Sequence, residues 1–207
     1  MNTTLVNILV AATLLLTSPP GSSQPQALSQ VAYSLSNRYS NTFVNDVFSD
    51  NILLTIAYIN KSIKKGDPIS WKSVQAEGEI AFSLKPGETF AFHDAVLDKY
   101  KGKIALTTNA HFNGEEGFRS DGWLIGDGVC HLASFMYVAA QKAGLEVEAP
   151  TDHDFAMIPN IEKKDGVSIY SENTLQNLYI TNNQSKTIAF IFIHKDKNLT
   201  IRVEQVN

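Results

Sequence analysis

Between residues 28 and 64 the hydrophobic positions recur every three or four residues, which is the spacing of one face of a helix. The positions that keep this spacing are Leu28, Val31, Leu35, Ile52, Leu53, Ile56 and Ile59. A weaker stretch at residues 41–49 predicts a bend. Two lysines followed by Gly66 and Pro68 predict the end of the region. The pattern therefore predicts helices in the N-terminal part of the chain.

After residue 77 the pattern changes to the alternation that is typical of β-strands. Short strands at residues 80–84 and 89–92 flank a Pro-Gly turn. Further strands are predicted at residues 123–125, 145–147, 155–158, 167–170, 177–181, 187–194 and 199–206. Turn residues separate the later segments, so we expect most neighbours to pair antiparallel.

One strong helical pattern interrupts these strands. The helix is expected to start at Cys130, to continue to Ala143 and to stop at Gly144. Its apolar stripe consists of Leu132, Phe135, Met136, Ala139, Ala140 and Ala143. N-terminal helices, this central helix and an antiparallel sheet of short strands together predict an α+β fold.

The N-terminus predicts export. Residues 5–16 form an apolar run that fits the core of a signal peptide and is short for a membrane span, and a Pro- and Ser-rich stretch follows. No basic residue precedes the run and the cleavage site is poor, so an uncleaved membrane anchor stays open as an alternative. We expect residues 1–27 to be signal peptide and linker, and residues 28–207 to be one domain that is secreted, periplasmic or at the cell surface.

Net charge and cysteine content limit the classes of ligand that we expect this chain to bind. The formal net charge is −4, with no basic surface indicated, so a nucleic-acid partner is not expected. Cys130 is the single cysteine and cannot form an internal disulfide in an exported chain. It is a buried apolar residue, an intermolecular bridge or a reactive thiol. Without a second cysteine or a tight histidine pair, neither a metal site nor a cofactor is expected.

Five motifs occur in the order in which VanW-like proteins carry them. With the family's form in parentheses, they are residues 86–92, PGETFAF (PGE-x-FSF); residues 126–134, GDGVCHLAS (GGGVCQ-x-SS); His153 (HS); Asp165 (GRDA); and residues 178–182, LYITN (DLKFRN). The chain resembles this family over residues 50–206. It departs from the family pattern at Asp127, His131, Asp154 and Lys164. The resemblance implies a bacterial cell-surface setting and no established reaction.

The motif around Cys130 indicates candidate chemistry. A cysteine at a helix N-terminus lies near unpaired N–H groups and the positive end of the helix dipole, which lower the thiol pKa. A cysteine nucleophile also needs a base and a group that orients the base. His153 and Asp165 follow in the order Cys-His-Asp, an arrangement similar to that of papain-like and transglutaminase-like enzymes.

Four further residues are candidates for substrate binding. Gly126 and Gly128 would let a substrate approach the backbone closely. Trp123 could shape a groove beside them, although core packing is an equal alternative. His93 follows the PGE-type turn and could lie in the same cleft, with a plain loop position as the alternative.

Two functions remain open. The preferred one is a non-catalytic exported module that binds peptidoglycan or another cell-surface component, or assists a partner there. The alternative is a cysteine-dependent hydrolase or acyl transferase that acts on cell-wall peptide or amide bonds through Cys130, His153 and Asp165. A membrane contact is expected only if the N-terminal segment stays uncleaved.

Overall fold

A computed structural model describes residues 26–206, and the predicted leader lies outside them except for its last two residues. The helices are α1 (Thr42–Ile59), α2 (Trp71–Val74) and α3 (Val129–Lys142). The strands are β1 (Gln26–Ser34), β2 (Gly78–Leu84), β3 (Thr89–Ala91), β4 (Ile104–Leu106), β5 (Glu146–Glu148), β6 (Tyr179–Thr181), β7 (Thr187–Lys195) and β8 (Asn198–Val206). Helices and mostly antiparallel sheets are both present, which confirms the α+β class.

The strands form two sheets. The first has the order β1-β8-β7-β2 and is antiparallel throughout, and the second has the order β4-β3-β6-β5. In the second sheet β3 and β4 run parallel, which departs from the antiparallel expectation. The β7–β8 hairpin closes at Asp196 and Lys197, both of which have positive φ, as a tight hairpin turn requires.

The prediction that residues 28–35 are helical is wrong. This segment forms β1, which pairs with β8 from one end to the other. Val31, Tyr33 and Leu35 are buried, so the true period is two. The helical spacing of Leu28, Val31 and Leu35 arises by chance in a short segment. The segment is a strand because it pairs with β8, which lies far away in sequence.

Three other predicted strands are also absent among the described residues. Residues 123–125, 155–158 and 167–170 lie in loops, with only isolated bridges at Ser120–Ile125 and Asp152–Val167. In the first two segments most large apolar side chains point to solvent, and only Ile158 is buried in the core. These loops border the groove described below.

The two longer helices pack together and place the start of α3. Helix α1 begins after Asn41, whose side chain caps Val44 N at 3.2 Å. Helix α3 packs on β1 and stacks Phe135 on Tyr33 at 3.8 Å. It begins at Val129, one residue before the prediction, and Gly144 has the predicted left-handed conformation beyond its end. None of the helices in residues 26–206 is long and apolar enough to cross a membrane.

Candidate functional site

The first turn of α3 faces a groove of about 530 Å³. Cys130 and His131 lie on the helix side of this groove. One wall comes from the loop of residues 121–128, and another from the loop of residues 153–157. The segment 169–171 completes the lining. The structure therefore brings two candidates that are distant in sequence, Cys130 and His153, onto one surface.

The two glycines before Cys130 hold their loop against the body of the protein. Gly128 has φ +97°, and a Cβ there would lie 2.4 Å from the carbonyl oxygen of Phe48. A Cβ on Gly126 would lie 2.9 Å from the carbonyl oxygen of Phe112. Protein backbone thus fills the space that the missing side chains leave. This contact explains both glycines without a substrate, and their substrate-binding role stays a prediction.

A buried asparagine fixes the same loop, and the sequence did not identify it. Asn51 on α1 donates from its amide to the carbonyl oxygens of Arg119 (3.0 Å) and Asp127 (2.9 Å) and accepts from Arg119 N (2.8 Å). Arg119 also forms an ion pair with Asp50 and stacks its guanidinium over Trp71 at 3.8 Å. The sequence offered one sign of this role, because Asn51 is a polar residue at the edge of the most apolar stretch of α1.

Cys130 does not have the activated thiol expected of a helix N-terminus. The side chain is half-buried, and its Sγ accepts a hydrogen bond from Ile169 N at 3.4 Å. Burial is the main cause that raises the thiol pKa to about 11, and the neighbouring Asp127 carboxyl contributes to this rise. The predicted decrease of the pKa is therefore wrong in direction, because loss of hydration is the largest effect on this thiol.

His153 is held by the backbone. Its Nδ1 lies 3.0 Å from the carbonyl oxygen of Ala156, which can only accept, so Nδ1 carries the proton. Burial lowers the pKa of the ring, and the ring contacts Phe155 with centroids 4.0 Å apart. A neutral His153 held in this way presents Nε2 as its basic nitrogen. Among residues 26–206 no hydrogen bond joins His153 to Cys130.

Asp165 is separate from this pair. It ends a short 3₁₀ turn, Lys163–Asp165, and it does not line the groove. Within the part of the chain described here, neither a hydrogen bond nor an ion pair connects its carboxylate to His153. The carbonyl of Ala156 takes the orienting position that the sequence assigned to Asp165. The catalytic roles of all three residues stay predictions.

The two remaining candidates lie in opposite environments. His93 is fully buried, and its Nε2 donates to the carbonyl oxygen of Gln176 at 2.9 Å. It does not line the groove, so its position does not support substrate contact. Trp123 is 92% exposed at the tip of the 121–128 loop, beside the groove-lining Leu124. The core-packing alternative for Trp123 is wrong, and a role in ligand contact stays open.

The VanW-like protein family model matches residues 76–204, from the start of the β2 region to β8. The chain belongs to the VanW-like family. The matched region contains Cys130, His153 and both loops that border the groove. No significant match is found among curated proteins or solved structures.

Two of the positions at which this VanW-like chain departs from the family pattern, Asp127 and His131, line the groove. Burial and the nearby Asp121 raise the pKa of Asp127 to about 6. Asp121 accepts from the backbone N–H of Leu124 (3.0 Å) and of Trp123 (2.8 Å), and these bonds lower its pKa. The second departure, His131, is only 5% exposed, and burial lowers its pKa to about 3. The sequence comparison noted both departures but gave them no role.

No group of three or more His, Cys, Asp or Glu side chains in residues 26–206 is arranged to hold a metal ion.

Proposed function

We propose that this VanW-like protein is an exported module that binds peptidoglycan through the groove at the start of α3. The observation that carries the proposal is a cluster of exposed apolar side chains around a groove that also contains polar groups. On one side Trp123 is 92% exposed, and on the other Phe155 and Met157 are 72% and 87% exposed. Large apolar side chains clustered around a cleft are typical of binding sites. Aromatic and thioether faces can pack against sugar rings and peptide side chains while the polar floor fixes orientation.

The chemistry of the floor favours binding over catalysis. A cysteine nucleophile acts as the thiolate, and a thiol pKa of about 11 leaves little thiolate at neutral pH. His153 shares the groove but has no hydrogen bond to the sulfur among the described residues. A non-catalytic module needs neither feature.

The test uses isolated peptidoglycan. Purified residues 28–207 should co-sediment with sacculi, and Phe155→Ala combined with Met157→Ala should reduce the bound fraction several-fold. Phe43→Ala is the matched control, because Phe43 is also an exposed aromatic residue (62%) but does not line the groove. Equal loss in the control, or no co-sedimentation by the unmodified protein, would contradict the proposal.

Export is tested separately, since residues 1–25 lie outside the described structure. Protein recovered from outside the cytoplasm should begin after about residue 27, as expected for signal-peptide cleavage. An intact N-terminus on cytosolic protein would contradict export.

A cysteine-dependent hydrolase or acyl transferase is the second candidate. One observation favours it: Cys130 and His153 line the same groove, and the backbone holds His153 in the tautomer of a general base. Turnover of cell-wall peptides that is lost in both Cys130→Ala and His153→Ala would establish this candidate in place of the binding module.

A further inference from the structure

Three buried polar atoms without a hydrogen-bond partner belong to residues that line this one groove. Within residues 26–206 they are Arg38 Nε, Asp127 Oδ2 and His131 Nδ1. Buried polar groups in folded proteins are nearly always paired, and an unpaired one calls for an explanation such as a missing ligand. Their concentration at one site indicates that a ligand with polar groups completes the groove.

Among residues 26–206 the carboxyl groups of this groove have no cationic partner, whereas its one arginine already has hydrogen-bond partners. Arg38 donates to the carbonyl oxygen of Pro159 at 3.1 Å and to Asn160 Oδ1 at 3.2 Å, and its guanidinium lies over the Phe135 ring. By contrast, no Lys or Arg among the described residues forms an ion pair with Asp121 or Asp127. The carboxyl groups of Asp121 and Asp127 hydrogen-bond to each other when Asp127 is protonated. Once both are ionised they repel each other, and with no cation beside them in the described part of the chain they form a natural site for a positively charged ligand group.

His131 is an independent indication that the ligand is a donor. His131 is only 5% exposed and lines the groove. Its Nδ1 has no hydrogen-bond partner within residues 26–206. Its low pKa keeps the imidazole neutral, so one ring nitrogen always offers a lone pair. The Asp127 oxygen and the neutral imidazole nitrogen are acceptors and call for N–H donors, whereas Arg38 Nε is a donor and calls for an acceptor such as a peptide carbonyl oxygen.

We propose that the groove binds the primary ammonium group of a cell-wall peptide at the carboxylates of Asp121 and Asp127. This inference rests on the proposed peptidoglycan binding and names the chemical group that is recognised. An ammonium group supplies three N–H donors and the missing positive charge. The apolar side chains of Phe155 and Met157 would cover the rest of the peptide, so the amine and the apolar contact act together.

The experiment compares two peptides that differ only at the amine. The probes are a synthetic stem peptide with a free lysine side chain and the same peptide acetylated on that lysine, both blocked at the N-terminus. Isothermal titration calorimetry at pH 7.5 and low salt measures their affinities. The free-amine peptide should bind about ten-fold or more tightly than the acetylated one, as expected for a charge-assisted hydrogen bond.

Two variants locate the effect. Asp127→Asn removes the carboxylate and should abolish the preference for the free amine. Glu146→Gln removes an exposed carboxylate on β5 that does not line the groove, and it should retain the preference. The melting temperature of Asp127→Asn, which should not be lower than that of the unmodified protein, shows that it is folded.

The outcomes separate this inference from the proposed function. Equal binding of the two peptides, or of neither, overturns the amine site, and so does a preference that survives Asp127→Asn. If sacculi still co-sediment in those cases, peptidoglycan binding stands without amine recognition. If sacculi fail to bind as well, both proposals are wrong.

Discussion

Asp127→Asn should make the protein more stable at neutral pH. The pKa of Asp127 is raised from 3.8 to about 6, mainly because the folded protein removes the carboxyl from water. One pKa unit corresponds to about 1.36 kcal/mol, so the ionised carboxylate costs the fold up to about 3 kcal/mol. Asp127 is only half-buried, and solvent screening reduces the expected gain to about 1–2 kcal/mol.

The sign of the effect follows from the direction of the pKa change. Below about pH 4 the carboxyl is neutral in both states, and its ionisation costs nothing. From about pH 4 to 6 the folded state holds a proton that the unfolded state has released, so this residue's contribution falls as the pH rises. Above pH 6 the full cost remains. Because asparagine is neutral at every pH, the gain of the variant should be largest at pH 7.5 and near zero at pH 4.

Urea unfolding at these two pH values measures the difference. Glu146→Gln is the matched control, since its carboxylate is exposed and the change should alter the free energy of unfolding by less than about 0.5 kcal/mol. A variant no more stable than the unmodified protein at pH 7.5 would refute the reasoning. So would a gain of the same size at pH 4, because that would come from packing and not from charge.

Other perturbations test the thiol and the loop. Iodoacetamide should modify Cys130 slowly at pH 7 and faster toward pH 10, because burial raises the thiol pKa to about 11, and Asp127→Asn should move the profile to lower pH. Rapid alkylation at pH 6 would contradict this and favour catalysis. Gly128→Ala should destabilise the fold by about 3 kcal/mol, from left-handed strain plus the clash with Phe48. Gly144→Ala has similar strain but free space, so about 1 kcal/mol is expected in urea unfolding; equal losses would show that the clash relaxes.

Local patterns predicted the elements that depend on local interactions. Helix α3 was identified within one residue of its start because its apolar stripe and the closing Gly144 are both encoded nearby. The β2 and β3 strands and the turn between them were identified for the same reason. β1 was missed because its partner, β8, lies at the other end of the chain. β4 was missed because polar residues flank it on both sides (residues 101–103 and 107–109), which is typical of a loop.

The sequence predicted part of the candidate site, and the part that it did not predict depends on tertiary structure. A cysteine at a helix start and a histidine in a family motif are visible in sequence, and both line the groove. The sign of the Cys130 pKa change is not visible, because it depends on how far the loop buries the sulfur and on where Asp127 points. The orienting group of His153 is equally hidden, since a backbone carbonyl has no sequence signature.

Asp127 connects the two functions considered for this chain. The resemblance to the family pattern places glycine at this position, and a glycine would add neither a charge beside Cys130 nor a carboxyl beside Asp121. The aspartate works against thiolate formation, because like charges disfavour a second ionisation. The same charge, unpaired among the described residues, creates the acidic site that suits an amine. A feature that opposes a nucleophile and favours a cationic ligand is expected of a binding module, so Asp127 supports the proposed binding function.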